Sequence, residues 1–297
     1  MDARGLGTTF LELSGSSLAQ VDVPFAPPED QRTIADYLDR ETAQIDAFIA
    51  KNEELITLLT ERRLAVISHA VTSGSASNCQ TRESGNEWLG SVPNHWEVLK
   101  LRHVLAEPIT DGPHTTPEFL DDGVPFLSVD GIVDGELEFE GCRYISPTDH
   151  EEFSRKASPR RGDVLMGKAA SVGKIARVKT DQVFSIWSPL ALLRPKPLIS
   201  PAYMELCLKS ASSQAQFAVF ANYNTQANIS MGDIGEVVIA MPPIDEQLLI
   251  VEATQRDLDG IDRAVVVARH SVELARERRA ALISAAVTGK IDVGVAV

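Results

Sequence analysis

One long segment occurs twice in this chain. Slid by 216 residues, Gln31 falls on Gln247, Ile34 on Ile250 and Ile45-Asp46 on Ile261-Asp262. Downstream the match tightens: across 61–72, 9 of 12 positions are identical to 277–288, with no gap. Both stretches read Glu-Arg-Arg-x-Ala-x-Ile-Ser-x-Ala-Val-Thr. A repeat of this length is one structural unit used twice. The sequence between the copies is therefore expected to form a domain held by them.

The repeated unit reads as a helix. Pro27-Pro28 ends an extended segment, and Glu29 and Asp30 follow, where a helix N-terminus favours negative charge. Ile34, Leu38, Ile45, Phe48, Leu55, Leu59 and Val66 then recur at spacings of three, four and seven, with Ile49 and Ile56 widening the stripe. Nothing breaks the pattern before Ser73-Gly74. The spacing predicts one helix over 29–72, about 60 Å long at 1.5 Å per residue. That length suits a coiled coil.

The second copy predicts a helix over 245–288 with a smaller stripe: Leu258, Ile261, Val265, Ala268, Val272, Ala275, Leu282 and Ala286. Small residues facing large ones let two helices pack closely. Neither stripe can be buried alone, so the copies are expected to pair antiparallel. Asn52 lies in the apolar frame, either fixing register or sitting on the edge of the helix.

Ser73-Gly74-Ser75-Ala76-Ser77-Asn78 reads as a flexible linker. Beyond it the pattern is mixed α/β, with short strand-like runs at 124–129, 164–166, 174–178 and 183–187. Pro201 opens a helix running to about Phe220. The fold expected is α+β, one mixed α/β domain attached to two long helices forming an antiparallel coiled coil.

The run Gly167-Lys168-Ala169-Ala170-Ser171-Val172-Gly173-Lys174 imitates a phosphate-binding loop. It has five residues between its glycines where four are required, and Ile175 where Mg²⁺ needs a hydroxyl. No dinucleotide fingerprint, methyltransferase Asn-Pro-Pro-Tyr segment or metal-ligand spacing occurs. Three scattered cysteines, Cys79, Cys142 and Cys207, read as reduced thiols. No run is long and apolar enough to span a bilayer, and no signal pattern opens the chain. A cytoplasmic protein is expected.

The net charge is −14, which alone argues against nucleic acid. The average hides a segregation. Residues 155–196 hold ten basic residues against two acids, and 107–152 hold thirteen acids against one base, Arg143. The two stretches are either solvated surfaces of opposite sign, or the basic one is a face of the central domain kept positive in an otherwise acidic protein.

Together these features resemble the specificity subunit of type I restriction–modification systems. The resemblance rests on the repeated helix that begins Pro-Pro-x-x-x-Gln and ends in the Glu-Arg-Arg motif. It extends to Trp88-Leu89-Gly90-Ser91-Val92-Pro93-Asn94-His95-Trp96, Asp111-Gly112-Pro113-His114-Thr115-Thr116-Pro117, Arg161-Gly162-Asp163-Val164-Leu165 and Gln226-Ala227-Asn228-Ile229-Ser230.

The resemblance implies a domain order. Residues 1–26 are a remnant of a first target recognition domain, 27–73 the first helix and 74–86 a linker. Residues 87–241 are a target recognition domain, and 242–297 the second helix and tail. It also implies a role without catalysis. The domain reads one half of a split target in double-stranded DNA, and the helices dock methyltransferase subunits, which a motor-nuclease subunit can join. S-adenosylmethionine, ATP and Mg would belong to those partners, so no cofactor is expected here.

A full subunit of the family has two recognition domains and this chain has one complete. A homodimer with two readers, a half-subunit and an inactive product are the readings left open. The residues expected on DNA are Lys168, Ser171 and Lys174 on a Gly-flanked turn, with Arg177 beyond. His114, Thr115 and Thr116 on the Pro-bounded loop join them, as do Tyr223, Asn224 and Gln226 after the helix. A scaffold that binds proteins without DNA is the competing class, and an independent hydrolase or transferase has almost no residue support.

Overall fold

The computed structural model describes residues 14–23, 25–74, 79–222 and 227–294. A short helix α1 (Gly15–Leu18) precedes the long helix α2 (Pro28–Ser73). Most of the expected remnant at 1–26 and the first part of the linker lie outside the described residues. Two compact units result: one of 58–263, the other of 1–57 with 264–297.

In the unit of 58–263 the strands come in short runs. β1 (Thr81–Glu83) pairs antiparallel with β2 (Ser91–Pro93), so three residues of the expected linker form a strand. β3 (Glu97–Lys100) follows, then β4 (Thr110–Asp111), β5 (Val124–Leu127), β6 (Ile132–Val133), β7 (Glu136–Leu137) and β8 (Arg143–Ile145). Helix α3 (Pro147–Ser154) starts on Ser146, whose hydroxyl accepts from the Asp149 amide, with Pro147 in the first turn.

Strands β9 (Val164–Gly167) and β10 (Ile175–Arg177) form a hairpin. β11 (Ser185–Ile186) and β12 (Leu190–Leu193) complete the two main sheets. The first sheet is antiparallel in the order β10-β9-β12-β4, and the second runs β11-β5-β8 with β11 parallel to β5. β9 and β12 are buried at every position, and their Val, Leu and Met residues read accordingly as continuous apolar runs.

The helix expected from Pro201 to Phe220 is two helices, α4 (Pro201–Lys209) and α5 (Ala211–Phe220). Ser210 breaks them apart. Its backbone is extended, its hydroxyl donates to the Cys207 carbonyl at 2.6 Å, and the same oxygen accepts from the Ser213 amide. One serine ends a helix and caps the next. Cys207 beneath it is buried, which pushes its thiol up to about 12 and suits the inert role expected of it.

Helix α6 (Met231–Glu236) leads to β13 (Val238–Met241), which pairs antiparallel with β3. The strand that opens the domain is thus zipped to the strand that closes it. The last helix, α7 (Ile244–Val287), starts three residues later.

Trp96, 1% exposed, seals this base. Its indole donates to Glu246 at 3.1 Å, and Gly74, with a left-handed φ of +71°, packs against its ring. Gln247 is fully buried. It accepts from the Ser200 amide at 2.7 Å and donates to the carbonyls of Leu198 and Pro242. Ile67, Val71, Ile250 and Leu258 from the two long helices belong to the same apolar cluster as Trp96, Tyr203 and Phe217. Within this unit Arg63 pairs with Asp262 at 3.0 Å.

The unit of 1–57 and 264–297 holds the remaining halves of α2 and α7. Arg276 pairs with Glu53 and Arg279 with Asp46, each at 2.8 Å. Later residues of one helix meet earlier residues of the other, so the segments run antiparallel. Ala268, Val272 and Ala275 are buried.

The stripe expected on α7 is the observed one. On α2 the expected Ile34, Leu38, Ile45, Ile49, Ile56, Leu59 and Val66 are also among the less exposed positions, and Thr42, Asn52, Arg63 and Ala70 complete a heptad seam from 42 to 70. Phe48 and Leu55 flank it and are 49% and 43% exposed. The Asn52 amide donates to the Phe48 carbonyl of its own helix at 2.9 Å.

Candidate nucleic-acid interface

The β9–β10 turn and the loop after β4 meet at one buried carboxylate. Asp111 is the last residue of β4, and its side chain is 1% exposed. Lys156 from the end of α3 binds its Oδ1. Lys168 Nζ lies 3.1 Å from Oδ2, and His114 Nε2 lies 3.3 Å from the same oxygen. Burial alone would raise the Asp111 carboxyl. Hydrogen bonds from Lys156 and Lys168, with their charges, outweigh it and hold the group below the usual 3.8.

The backbone around Asp111 is equally constrained. A Cβ on Gly112 would lie 1.8 Å from the Ile186 carbonyl oxygen, so only glycine fits there. The Ser188 amide donates to the Pro113 carbonyl at 3.2 Å, which fixes the start of the loop. His114, Thr115 and Thr116 are exposed beyond it.

The decoy phosphate loop is a hairpin turn. The Gly167 amide donates to the Lys174 carbonyl, and the Gly173 amide to that of Gly167. A strand follows it, so no helix N-terminus is aimed at a phosphate. The turn is stitched to the segment after α5: the Ile229 amide donates to the Lys168 carbonyl at 2.9 Å, and the Ala170 amide to that of Ala227 at 3.1 Å. Tyr223, Asn224 and Gln226 lie outside the described residues; on one flank Ala227-Asn228 adjoins this turn, and on the other Asn222 pairs with Asn228.

Lys168, Lys174 and Arg177, expected on DNA, each have a partner within the chain. Lys168 is held by Asp111. Arg177 Nε donates to Glu205 at 2.9 Å, and Lys174 Nζ to the Ile132 carbonyl at 3.1 Å. Of the ten bases in 155–196, seven form ion pairs among the described residues. Three of their acids, Asp111, Glu136 and Glu151, come from the acidic stretch, as does Glu107, a second partner of Arg194. The segregated charges neutralise each other across the fold. Ser171 is half-buried on its turn, and Lys174 is exposed.

Sequence reasoning missed Asp111 as the organising residue. The available signal was an acid immediately before Gly-Pro, the dipeptide of a tight turn. Among the described residues no group of three or more His, Cys, Asp or Glu could hold a metal ion. None of the described helices is long and apolar enough to cross a membrane.

No family model matches the chain. It is 24% identical over 263 residues to the type I restriction enzyme EcoBI specificity subunit of Escherichia coli, covering 86% of this chain and 55% of that protein. It is 26% identical over 259 residues to the EcoKI specificity subunit of Escherichia coli strain K12, covering 84% and 53%. The MjaIX specificity subunit of Methanocaldococcus jannaschii is 24% identical over 240 residues, covering 80% and 54%.

Among solved structures, a chain from work on complex assembly and conformational transition of the type I R-M system superposes with a TM-score of 0.71. It is 18% identical, with 96% of this chain and 66% of that chain covered. The HsdS subunit from Thermoanaerobacter tengcongensis gives a TM-score of 0.50 at 19% identity, covering 98% and 66%. At these identities the structural likeness is one of fold. The chain spans about half the length of the curated relatives it matches. The resemblance carried by the repeated helix is borne out: along most of its length this chain is similar to type I restriction enzyme specificity subunits.

Proposed function

We propose that this chain is the DNA-recognising subunit of a type I restriction–modification complex. Its α/β domain reads one half-site in double-stranded DNA, and its paired helices dock methyltransferase subunits. A motor-nuclease subunit is a further partner. The observation that carries this reading is the repeated helix pair holding one α/β domain, with likeness to specificity subunits over more than four fifths of the chain. The chain itself does no chemistry in this reading; S-adenosylmethionine, ATP and Mg act on the partner subunits.

Convergence at Asp111 supports a reading surface in which Lys168 positions and neighbouring loops touch. The exposed loop His114-Thr115-Thr116 and the turn around Ser171 supply donors and acceptors suited to base edges and phosphates. Tyr223, Asn224 and Gln226 belong to the same proposed surface.

A second reading, a protein-binding scaffold without DNA recognition, is favoured by one observation, the internal neutralisation of seven basic residues. The experiment that separates them is co-purification with a type I methyltransferase subunit, followed by binding to random-sequence duplexes. Recovery of the complex with a preferred sequence supports the first reading. A stable complex without DNA preference supports the second.

A further inference from the structure

Arg143 is the one base in the acidic stretch, and it holds no carboxylate among the described residues. Aromatic rings hold it instead. Its guanidinium carbon lies 4.5 Å from the centre of the Phe119 ring and 5.7 Å from that of Trp187. Those rings meet edge to face at 6.2 Å, and buried Phe126, opposite Arg143 in the β5–β8 register, contacts both. Stacking fixes the plane of a guanidinium while leaving its N–H edge free to donate. The residue is exposed, and its neighbour Trp187 immediately precedes Ser188, which is bonded to the His114 loop at Pro113.

The surroundings select the ligand. Arg143 and Trp187 line a cleft of about 350 Å³ together with Asp130, Glu138 and Glu140. Three carboxylates repel a phosphate. They suit a group that presents acceptors to the guanidinium and a donor to a carboxylate. A G·C pair does this in the major groove: guanine O6 and N7 accept, and the cytosine amine donates.

We propose that Arg143, held by Phe119 and Trp187, is a specificity-determining residue that reads the guanine of a G·C pair, with a carboxylate of the cleft facing the cytosine amine. The assignment rests on the DNA-reading function proposed above.

The test uses the full chain co-purified with a type I methyltransferase subunit and a pool of randomised duplexes, sequenced after selection. Wild type is expected to enrich a motif containing a G·C pair. Arg143→Ala and Arg143→Lys are both expected to lose preference at that pair by on the order of 10- to 100-fold, with affinity for unrelated duplexes unchanged. The lysine variant keeps the charge and loses the fork, so full selectivity in it overturns bidentate reading. A uniform loss across all sequences, with the salt slope lowered by about one, makes Arg143 a phosphate contact and overturns the proposal. Wild-type preference that both variants retain overturns the proposal alone. A wild type with no preference overturns the DNA reading and the proposal with it. Unchanged affinity for unrelated duplexes also reports that the variants are folded.

Discussion

Asp111 shows how one residue decides what its neighbours can do. A carboxylate 1% exposed must be matched by charge, and Lys156 and Lys168 match it. Lys168 is therefore a structural cation, 12% exposed, and its replacement has a cost that a surface lysine would not show. Lys168→Ala is expected to destabilise the domain by about 1–3 kcal/mol. Lys174→Ala, on an exposed side chain with one carbonyl bond, should stay within about 0.5 kcal/mol. Urea unfolding of both variants checks this, and equal midpoints would count against it.

The same carboxylate gives a pH dependence. Asp111 and Glu205 are both held below their ordinary values, against the opposing effect of burial. Asp111 gains from Lys156 and Lys168, and Glu205 from Lys209 and Arg177. A carboxylate lowered in the folded state contributes stability that is present above its unfolded value. That contribution is lost as pH falls through the folded one. Stability is thus expected to fall as pH drops below the usual 3.8 of an aspartate, and less steeply in Asp111→Asn. An identical acid limb in wild type and variant, followed by circular dichroism, would remove Asp111 from the account.

At the level of elements, the two long helices were legible almost to the residue. Expected spans of 29–72 and 245–288 compare with α2 at Pro28–Ser73 and α7 at Ile244–Val287. Pro27-Pro28 and Ser73-Gly74 bound the first helix by backbone chemistry that no tertiary contact overrides. The α2 stripe was read less well, because isoleucines and leucines spread around the helix and blur its apolar frame. The repeat held the answer. Moved back by 216 residues, the α7 stripe gives 42, 45, 49, 52, 56, 59, 66 and 70, all of them seam positions of α2.

The repeat also makes one ion pair twice. Arg63 with Asp262 becomes Arg279 with Asp46 when donor and acceptor helices exchange. The final arginine of each Glu-Arg-Arg motif is therefore used between helices. The seam predicts that Val272→Asp, at a position 6% exposed, costs several kcal/mol by burying a charge, roughly 3–5. Leu55→Asp, on the exposed flank, should cost under about 1 kcal/mol. Thermal unfolding that ranks Leu55→Asp as the worse variant would contradict the seam.

For the whole molecule, the charge segregation was visible in the sequence and its meaning was not. Which acid meets which base depends on contacts between residues tens of positions apart, such as Arg194 with Asp163 and Lys168 with Asp111. Periodicity carries no information about such pairs. Two of the segments expected on DNA, the His114 loop and the Lys168 turn, nevertheless adjoin at Asp111, because Gly-Pro and Gly-flanked turns mark where strands end and loops emerge. Arg143 was passed over because a lone base among acids has no sequence pattern to announce its aromatic support.

A chain of net charge −14 with most of its basic stretch neutralised is expected to bind DNA weakly alone, phosphate contacts being the main source of affinity. Its partner would supply the rest. The most direct measurement is selection from randomised duplexes by this chain, alone and co-purified with a type I methyltransferase subunit. The account predicts that the complex enriches one short motif while the isolated chain enriches none and transfers no methyl group. A complex that returns the pool unenriched, or methyl transfer by the isolated chain that a mutation within it abolishes, would contradict it.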